Sequence, residues 1–235
     1  MKKRFSLVLP VFNEENVISN SIDDVYKKLN GTKIPFEIII GDDGSTDSSP
    51  EIISLKVNTY RNISVIKNKE RKGKAAILKR CFKETEGGIV GFMDSDLYVK
   101  KSMFTDSIRI IDNGADLVIA SKHMNSYQGY GVLRRVLSQA YAFAARILLG
   151  VNISDFQCGF KVFRRELILE ICDAVKNEDW SWDTEIVLYA VKKGYRVIEI
   201  PARINEIPLH VSKINIWRAS FLLGFNLFKL WLRSA

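Results

Sequence analysis

Ile89-Val90-Gly91-Phe92-Met93-Asp94-Ser95-Asp96 is the stretch whose reading decides the fold. Its five leading residues form a short apolar run of the kind that makes a strand buried on both faces. The run stops at two carboxylates one residue apart, and carboxylates resist burial unless a partner compensates their charge. Hard divalent ions take oxygen ligands, and Mg2+ in particular is held by one or two carboxylates together with substrate phosphates. The stretch therefore predicts a metal–diphosphate site at the carboxyl end of a parallel strand. The other reading is a solvated loop whose acids cap a helix beginning near Ser102; Asp-x-Asp alone does not separate the two.

The flanking sequence carries the same pattern several times. Residues 5–10 read as a first buried strand, followed by Asn13-Glu14-Glu15 and a helix to about Leu29, with Val17, Ile18, Ile22 and Val25 on one side. Residues 36–40 form a second strand that runs into Gly41-Asp42-Asp43-Gly44-Ser45-Thr46-Asp47. Ser49-Pro50 then opens a helix, with Ser49 as N-cap and proline at the first helical position. Residues 63–66 make a short third strand, and a basic loop with Arg71, Lys72, Gly73 and Lys74 leads into a helix through Glu84. After Asp96 a helix from about Ser102 to Asn113 precedes a fifth strand at 116–120. Strands alternating with helices predict βαβ units, an α/β class with a mostly parallel, Rossmann-like sheet. Ligands of such sheets sit beyond the carboxyl ends of the strands. Those ends carry Pro10 to Glu14, Asp42 and Asp43, Asp94 to Asp96, and Ser121 with Lys122. Four polar strand ends at one edge favour a site over a single solvated loop.

The second half is less regular. Residues 133–149 read as a helix on which Arg134 and Ser138, four apart, share a face. Asp155-Phe156-Gln157-Cys158-Gly159-Phe160-Lys161 follows, then a helix near 166–175. Trp180-Ser181-Trp182-Asp183-Thr184-Glu185 opens a helix ending at Gly194, and residues 195–200 form a last strand. Trp182 either packs in the core or stacks on a sugar. Asp183 and Glu185 either position sugar hydroxyls or cap the helix.

Composition narrows the partners. With 235 residues and 47% apolar content the chain builds one sizeable domain with at most a small appendage. The net charge of +8, from 35 basic and 27 acidic side chains, suits an anionic partner: a phosphorylated substrate, a membrane surface or a nucleic acid. Three cysteines without a Cys-x-x-Cys pair argue for a reducing compartment, and two histidines do not furnish a His-rich zinc site. The basic start, Met1-Lys2-Lys3-Arg4, leads into a strand rather than a signal peptide.

The carboxyl-terminal stretch, 216–235, has its own pattern. On a helical wheel Arg218, Asn226, Lys229 and Arg233 fall in one narrow arc, and apolar side chains including Trp217 and Trp231 cover most of the rest. Its longest uncharged run, 219–228, falls well short of the ~20 residues that cross a bilayer. An apolar face with tryptophans and a basic stripe predicts a helix lying in a membrane interface, the alternative being an ordinary docked terminal helix. The expected organisation is a catalytic domain over 1–213 and an amphipathic helix over 214–235.

Taken together, Pro10-Val-Phe-Asn-Glu14, Asp42-Asp43-Gly-Ser-Thr-Asp47, Asp94-Ser-Asp96-Leu97 and Ser121-Lys122 resemble family-2 glycosyltransferases of the GT-A fold. The blocks Asp155-x-Gln157-Cys-Gly-Phe-Lys161-x-Phe163, Trp182-Asp183-x-Glu185 and Glu206-Ile-Pro-x-x-x-Ser212-Lys213 resemble the branch that makes dolichyl-phosphate glucose, with dolichyl-phosphate mannose synthases as close relatives. The resemblance runs from Phe5 to about Lys213 and implies a nucleotide-sugar donor, UDP-glucose before GDP-mannose. It also implies Mg2+ or Mn2+, a dolichyl or polyprenyl phosphate acceptor at the cytoplasmic face of a membrane, inversion at the anomeric carbon, and no nucleic acid partner. By the same resemblance Pro10, Phe12, Glu14, Asp42 and Asp43 hold the nucleoside, Asp94 and Asp96 bind the metal, and Lys122, Arg134 and Ser138 receive the lipid phosphate. The residues themselves add Lys74, Asp94 and Ser95 as candidates for the nucleotide, Gln157, Trp182 and Glu185 for the sugar, and Asp183 for the catalytic set. Two departures stand out: Tyr98 replaces the Gln that mannose synthases commonly place after Asp-x-Asp, and Val211 replaces the usual Gly before Ser-Lys. A transferase with a hydroxyl acceptor would instead need a general base, for which Asp183 and Glu185 are the candidates.

Overall fold

The computed structural model describes residues 5–124, 132–175, 181–204 and 224–232, and of 132–135 only the backbone. Its elements are β1 (Phe5–Val11), α1 (Ile18–Asn30), β2 (Phe36–Asp42), α2 (Ser49–Thr59), β3 (Ile63–Lys67), α3 (Lys74–Lys83), β4 (Ile89–Met93), α4 (Lys101–Asp112) and β5 (Leu117–Ser121). After these come α5 (Val132–Leu149), β6 (Phe160–Arg164), α6 (Arg165–Ala174), α7 (Trp182–Lys192), β7 (Val197–Pro201) and a helix over 224–232, α8.

The seven strands form one sheet in the order β3-β2-β1-β4-β6-β5-β7. β1 pairs in parallel with β2 and β4, β2 with β3, and β5 with β7, while β6 runs antiparallel between β4 and β5. The carboxyl ends of the six co-directional strands and the amino end of β6 therefore share one edge. The expected α/β class holds. The reversed strand is the departure: Phe160-Lys161-Val162-Phe163 is buried along its length because the chain returns through the middle of the sheet.

Period-two alternation divides the sheet's side chains between two cores. Val8, Val90, Phe92 and Phe163 face α3, α5, α6, α7 and α8. Leu7, Leu9, Ile89 and Met93 face α1, α2 and α4. Burying each such side chain contributes about 1.5–3 kcal/mol before chain entropy is charged against it. α8 seals the first core with Leu227 and Leu230, whereas Phe225, Phe228 and Leu232 on its other side are exposed. Both readings of this helix thus have a face. The expected 213/214 boundary and the 206–213 block lie outside the described residues.

Two helix starts differ in detail from the sequence reading. The N-cap of α2 is Ser48, and Ser49 is its first residue; the Ser49 hydroxyl instead accepts the Glu14 amide at 2.9 Å, tying the end of β1 to α2. α4 has Lys100 as N-cap and no side-chain cap, so Asp94 and Asp96 do not cap it. The strand-end reading of those acids is the one the fold keeps.

Candidate active site

The loops after β1 and β2 are stitched together. The Asn13 amide donates to Ser45 Oγ at 3.0 Å, and Asn13 Oδ1 accepts the Thr46 amide at 2.8 Å. Asp42 and Asp43 are 2% and 3% exposed, too buried to present a broad face to a ligand. Asp42 Oδ1 accepts the Ser45 amide, while Asp43 accepts Asn68 Nδ2 and the amides of Lys72 and Gly73 at 2.7–2.9 Å. In the structure Asp43 is thus the anchor of the basic 68–73 loop, with both oxygens engaged. That loop lies against Gly44, whose φ of +74° and contact with the Glu70 backbone, 2.7 Å from where a Cβ would stand, leave room only for glycine. The loop carries Arg71 over the Phe12 ring at 4.1 Å, a cation–π contact. Pro10, level with Gly41 in the β1–β2 register, and Glu14 complete this end of the edge.

At the centre, Asp94 leaves β4 with its amide bonded to Gly159 O at 2.8 Å. A Cβ on Gly159 would stand 1.9 Å from Asp94 Oδ2, so the carboxylate occupies the place of a side chain at 159. Ser95 is buried, Asp96 is exposed, and Leu97 closes the turn onto Asp94 O. Burial, followed by the charges of Asp24 and Asp96, raises the Tyr98 phenol above its usual value.

Lys74, the first residue of α3, reaches Asp94 Oδ1 at 2.6 Å and Asp183 Oδ2 at 3.5 Å. Asp183 Oδ1 meets Lys161 Nζ at 2.6 Å, and that ammonium also donates to Cys158 O at 2.9 Å. Lys161 is fully buried. Burial by itself would push Asp183 up; Lys161 first and Lys74 second overcome this and hold its carboxyl below the usual range. For Lys74, burial pulls down, but Asp183 and then Asp94 outweigh it and hold the ammonium above its usual value. The helix-cap alternative for Asp183 falls away, since the N-cap of α7 is Ser181.

Beyond β5, the Lys122 amide donates to Asp155 Oδ2 at 3.0 Å. His123 bridges Ser154 O (Nδ1, 2.6 Å) and Ser138 Oγ (Nε2, 3.0 Å), so Ser138 does meet the β5 end. Glu199 on β7 anchors Ser154 through its amide and its hydroxyl. Arg134 lies one turn before Ser138 on α5, and its side chain is outside the described residues. Gln157 donates to Thr184 Oγ1 at 2.9 Å, which also pairs with the Tyr141 hydroxyl.

Two expected sugar contacts are corrected. Trp182 is 2% exposed and stacked on Phe82, with Phe92 at 6.1 Å between centroids, so it belongs to the core. Glu185 lines a groove with Val175, Leu188 and Leu230; two residues after Asp183 on a helix, it points to the other side of α7. Asn13, Gly159 and Lys161 lie in the quoted blocks but receive no role of their own from the sequence reading, and neither does His123. The signal for Lys161 was present: a lone lysine inside the apolar run Phe160-Lys-Val-Phe163 needs a buried partner.

An open α/β sheet with one antiparallel strand and an acid–lysine cluster at its carboxyl edge is the architecture of the GT-A fold. The profile of glycosyl transferase family 2 matches residues 6–172, and the chain belongs to that family. Its sequence is 29% identical over 231 residues to glycosyltransferase AglD of Haloferax volcanii, covering 96% of this chain but 36% of that protein, so it spans about a third of AglD. It is 28% identical over 246 residues to dolichyl-phosphate beta-glucosyltransferase of Dictyostelium discoideum, covering 97% of this chain and 74% of that one. Against the Saccharomyces cerevisiae protein of the same name it is 29% identical over 229 residues, covering 86% and 67%. Two solved structures share the fold. One is the mannosyltransferase PcManGT of Pyrobaculum calidifontis in complex with GDP-Man and Mn2+ (TM-score 0.68, 20% identity, 100% of this chain and 66% of that one). The other is glucosyl-3-phosphoglycerate synthase of Mycobacterium tuberculosis with Mn2+ and UDP (TM-score 0.71, 20% identity, 97% and 79%).

Proposed function

We propose that the chain transfers glucose from UDP-glucose, with inversion, to the phosphate of a dolichyl or other polyprenyl carrier at the cytoplasmic face of a membrane. The observation that carries this reading is the clamp on Asp183. A hydroxyl acceptor needs a general base close to the usual working pH. Asp183 has one oxygen on Lys161 and the other facing Lys74, and it is held below the ordinary carboxylate range. A lipid phosphate is already an anion and requires positioning rather than deprotonation. Lys122, Ser138 and Arg134 on the β5–α5 side are the groups assigned to it, since lysine and arginine recognise phosphate. The curated relatives named for dolichyl-phosphate glucosylation support the same acceptor and sugar.

Phe12, with Arg71 above it, and the Asp43-anchored loop are assigned to the nucleoside and its phosphates. Asp94 and Asp96 offer hard oxygen donors, and Asp94 already holds a cation, the Lys74 ammonium, so the residues present fit Mg2+ or Mn2+. Among the described residues no group of three His, Cys, Asp or Glu gathers, so Asp94 and Asp96 would hold such an ion together with oxygens of the donor's diphosphate. Such an ion supplies Lewis-acid stabilisation of the departing nucleoside diphosphate.

No helix among the described residues is long and apolar enough to cross a membrane. α5 exposes Val136, Phe143 and Ile147, and α8 exposes Phe225, Phe228 and Leu232; these are the faces assigned to the lipid surface.

The test incubates the protein with labelled UDP-glucose or GDP-mannose, Mn2+, and a short polyprenyl phosphate or the matching polyprenol. Glucose should appear on the phosphate only, and Asp96→Ala should abolish it. Comparable transfer to the polyprenol would overturn the acceptor assignment, and preference for GDP-mannose would overturn the donor.

A further inference from the structure

Lys74 holds one of the two carboxylates assigned above to a divalent ion. Its ammonium lies 2.6 Å from Asp94 Oδ1, the group assigned above to the metal, and 5.1 Å from the centroid of the Phe92 ring. The surroundings leave the two acids little freedom to escape it. Asp94 is backed against Gly159, and Asp183 is pinned from behind by the buried Lys161. An ammonium and a divalent ion sharing the Asp94 carboxylate repel each other, so each weakens the other's hold on it. A diphosphate arriving with the metal offers the ammonium another anion.

We propose that Lys74 is an exchange cation: it neutralises Asp94 in the free protein and is drawn off by the donor's diphosphate, so that nucleotide and metal each make room for the other. The inference rests on the assignment of Asp94 to the metal. Its consequence is thermodynamic coupling, reciprocal by necessity, between nucleotide and metal beyond their direct coordination to each other. The lysine opposes the metal when the nucleotide is absent and assists the diphosphate when it is present. Removing its charge should therefore strengthen one equilibrium and weaken the other, an opposition that a purely structural lysine would not produce.

The experiment reads free Mn2+ by its electron paramagnetic resonance signal in titrations of the full chain, without nucleotide and with saturating UDP or GDP in separate arms. Activity is not the readout. Lys74→Met should bind Mn2+ more tightly than wild type without nucleotide, by up to roughly fivefold for loss of a partly exposed ion pair. The strengthening of Mn2+ binding by nucleotide should shrink in the same variant. Lys74→Arg, which keeps the charge, should stay near wild type, and Lys74→Gln replaces the methionine variant should circular dichroism show that one unfolded. Mn2+ affinity in Lys74→Met or Lys74→Gln at or below that of wild type, without nucleotide, overturns the exchange. Asp94→Asn separates the two levels: if it binds Mn2+ as well as wild type does, the metal assignment itself is wrong.

Discussion

Lys161 puts an ammonium in the middle of β6 with no exposed surface, and the site's charge arrangement starts from it. Its partner Asp183 is itself buried, so the pair gains in mutual attraction what it loses in hydration, and removing one member strands the other. Lys161→Met should lower unfolding free energy by about 3–5 kcal/mol, and Lys161→Met with Asp183→Asn should recover a large part of it, as read by urea denaturation. Acid should act on the same pair. The folded-state pKa of Asp183 lies below its ordinary 3.8, so its contribution is present above that value and is lost as pH falls through the lower, folded one. The urea midpoint of the wild-type protein should drop on acidification below about pH 4, and that of Asp183→Asn should drop less. At this scale the sequence was half legible. Asp94, Asp96 and Asp183 were visible as acids in the right places, but what each faces was not, because Lys161 is 22 residues from its partner and meets it only through the sheet. Trp182 and Glu185 show the same limit: helix register decides which side of α7 they take.

At the scale of elements, the parallel βα units were legible because apolar runs end in polar strand termini at regular intervals. β6 was not. Its five residues carry a lysine, follow an irregular loop and run against their neighbours, so neither periodicity nor alternation with helices marks them. α8 was legible as amphipathic, yet a wheel cannot say which apolar residues are docked. The structure divides them: Leu227 and Leu230 enter the core, and Phe225, Phe228 and Leu232 do not. The two sides should respond differently. Leu227→Ala should cost about 2–4 kcal/mol of stability, the range for truncating a buried leucine. Phe228→Ser with Leu232→Ser should leave the melting temperature nearly unchanged and reduce co-sedimentation with liposomes. Undiminished sedimentation in the double variant would remove α8 from the lipid surface while leaving its docking intact.

For the whole molecule, the sheet gathers strand ends from residues far apart in the chain, and the helices that cover one of its faces also carry the exposed apolar side chains of α5 and α8. With the proposed acceptor, a catalytic edge that must receive the phosphate end of a lipid gains from a basic chain, because anionic headgroups attract it before any apolar contact forms. The net charge of +8 and the apolar faces should therefore act in sequence and be separable by salt. Over roughly a Debye length, about 10 Å at 0.1 M, the charges steer; at close to 1 M that reach shrinks to about 3 Å. Vesicles containing anionic lipid should bind the protein more strongly than neutral vesicles at low salt, and high salt should bring the two down to a common residual level. That residue belongs to the apolar faces and should fall further in the Phe228→Ser, Leu232→Ser protein, which keeps the apolar face of α5. Binding that ignores both salt and lipid charge would mean that the basic excess serves the diphosphate and the lipid phosphate inside the site, where Lys74 and Lys122 already stand, rather than the bilayer around it.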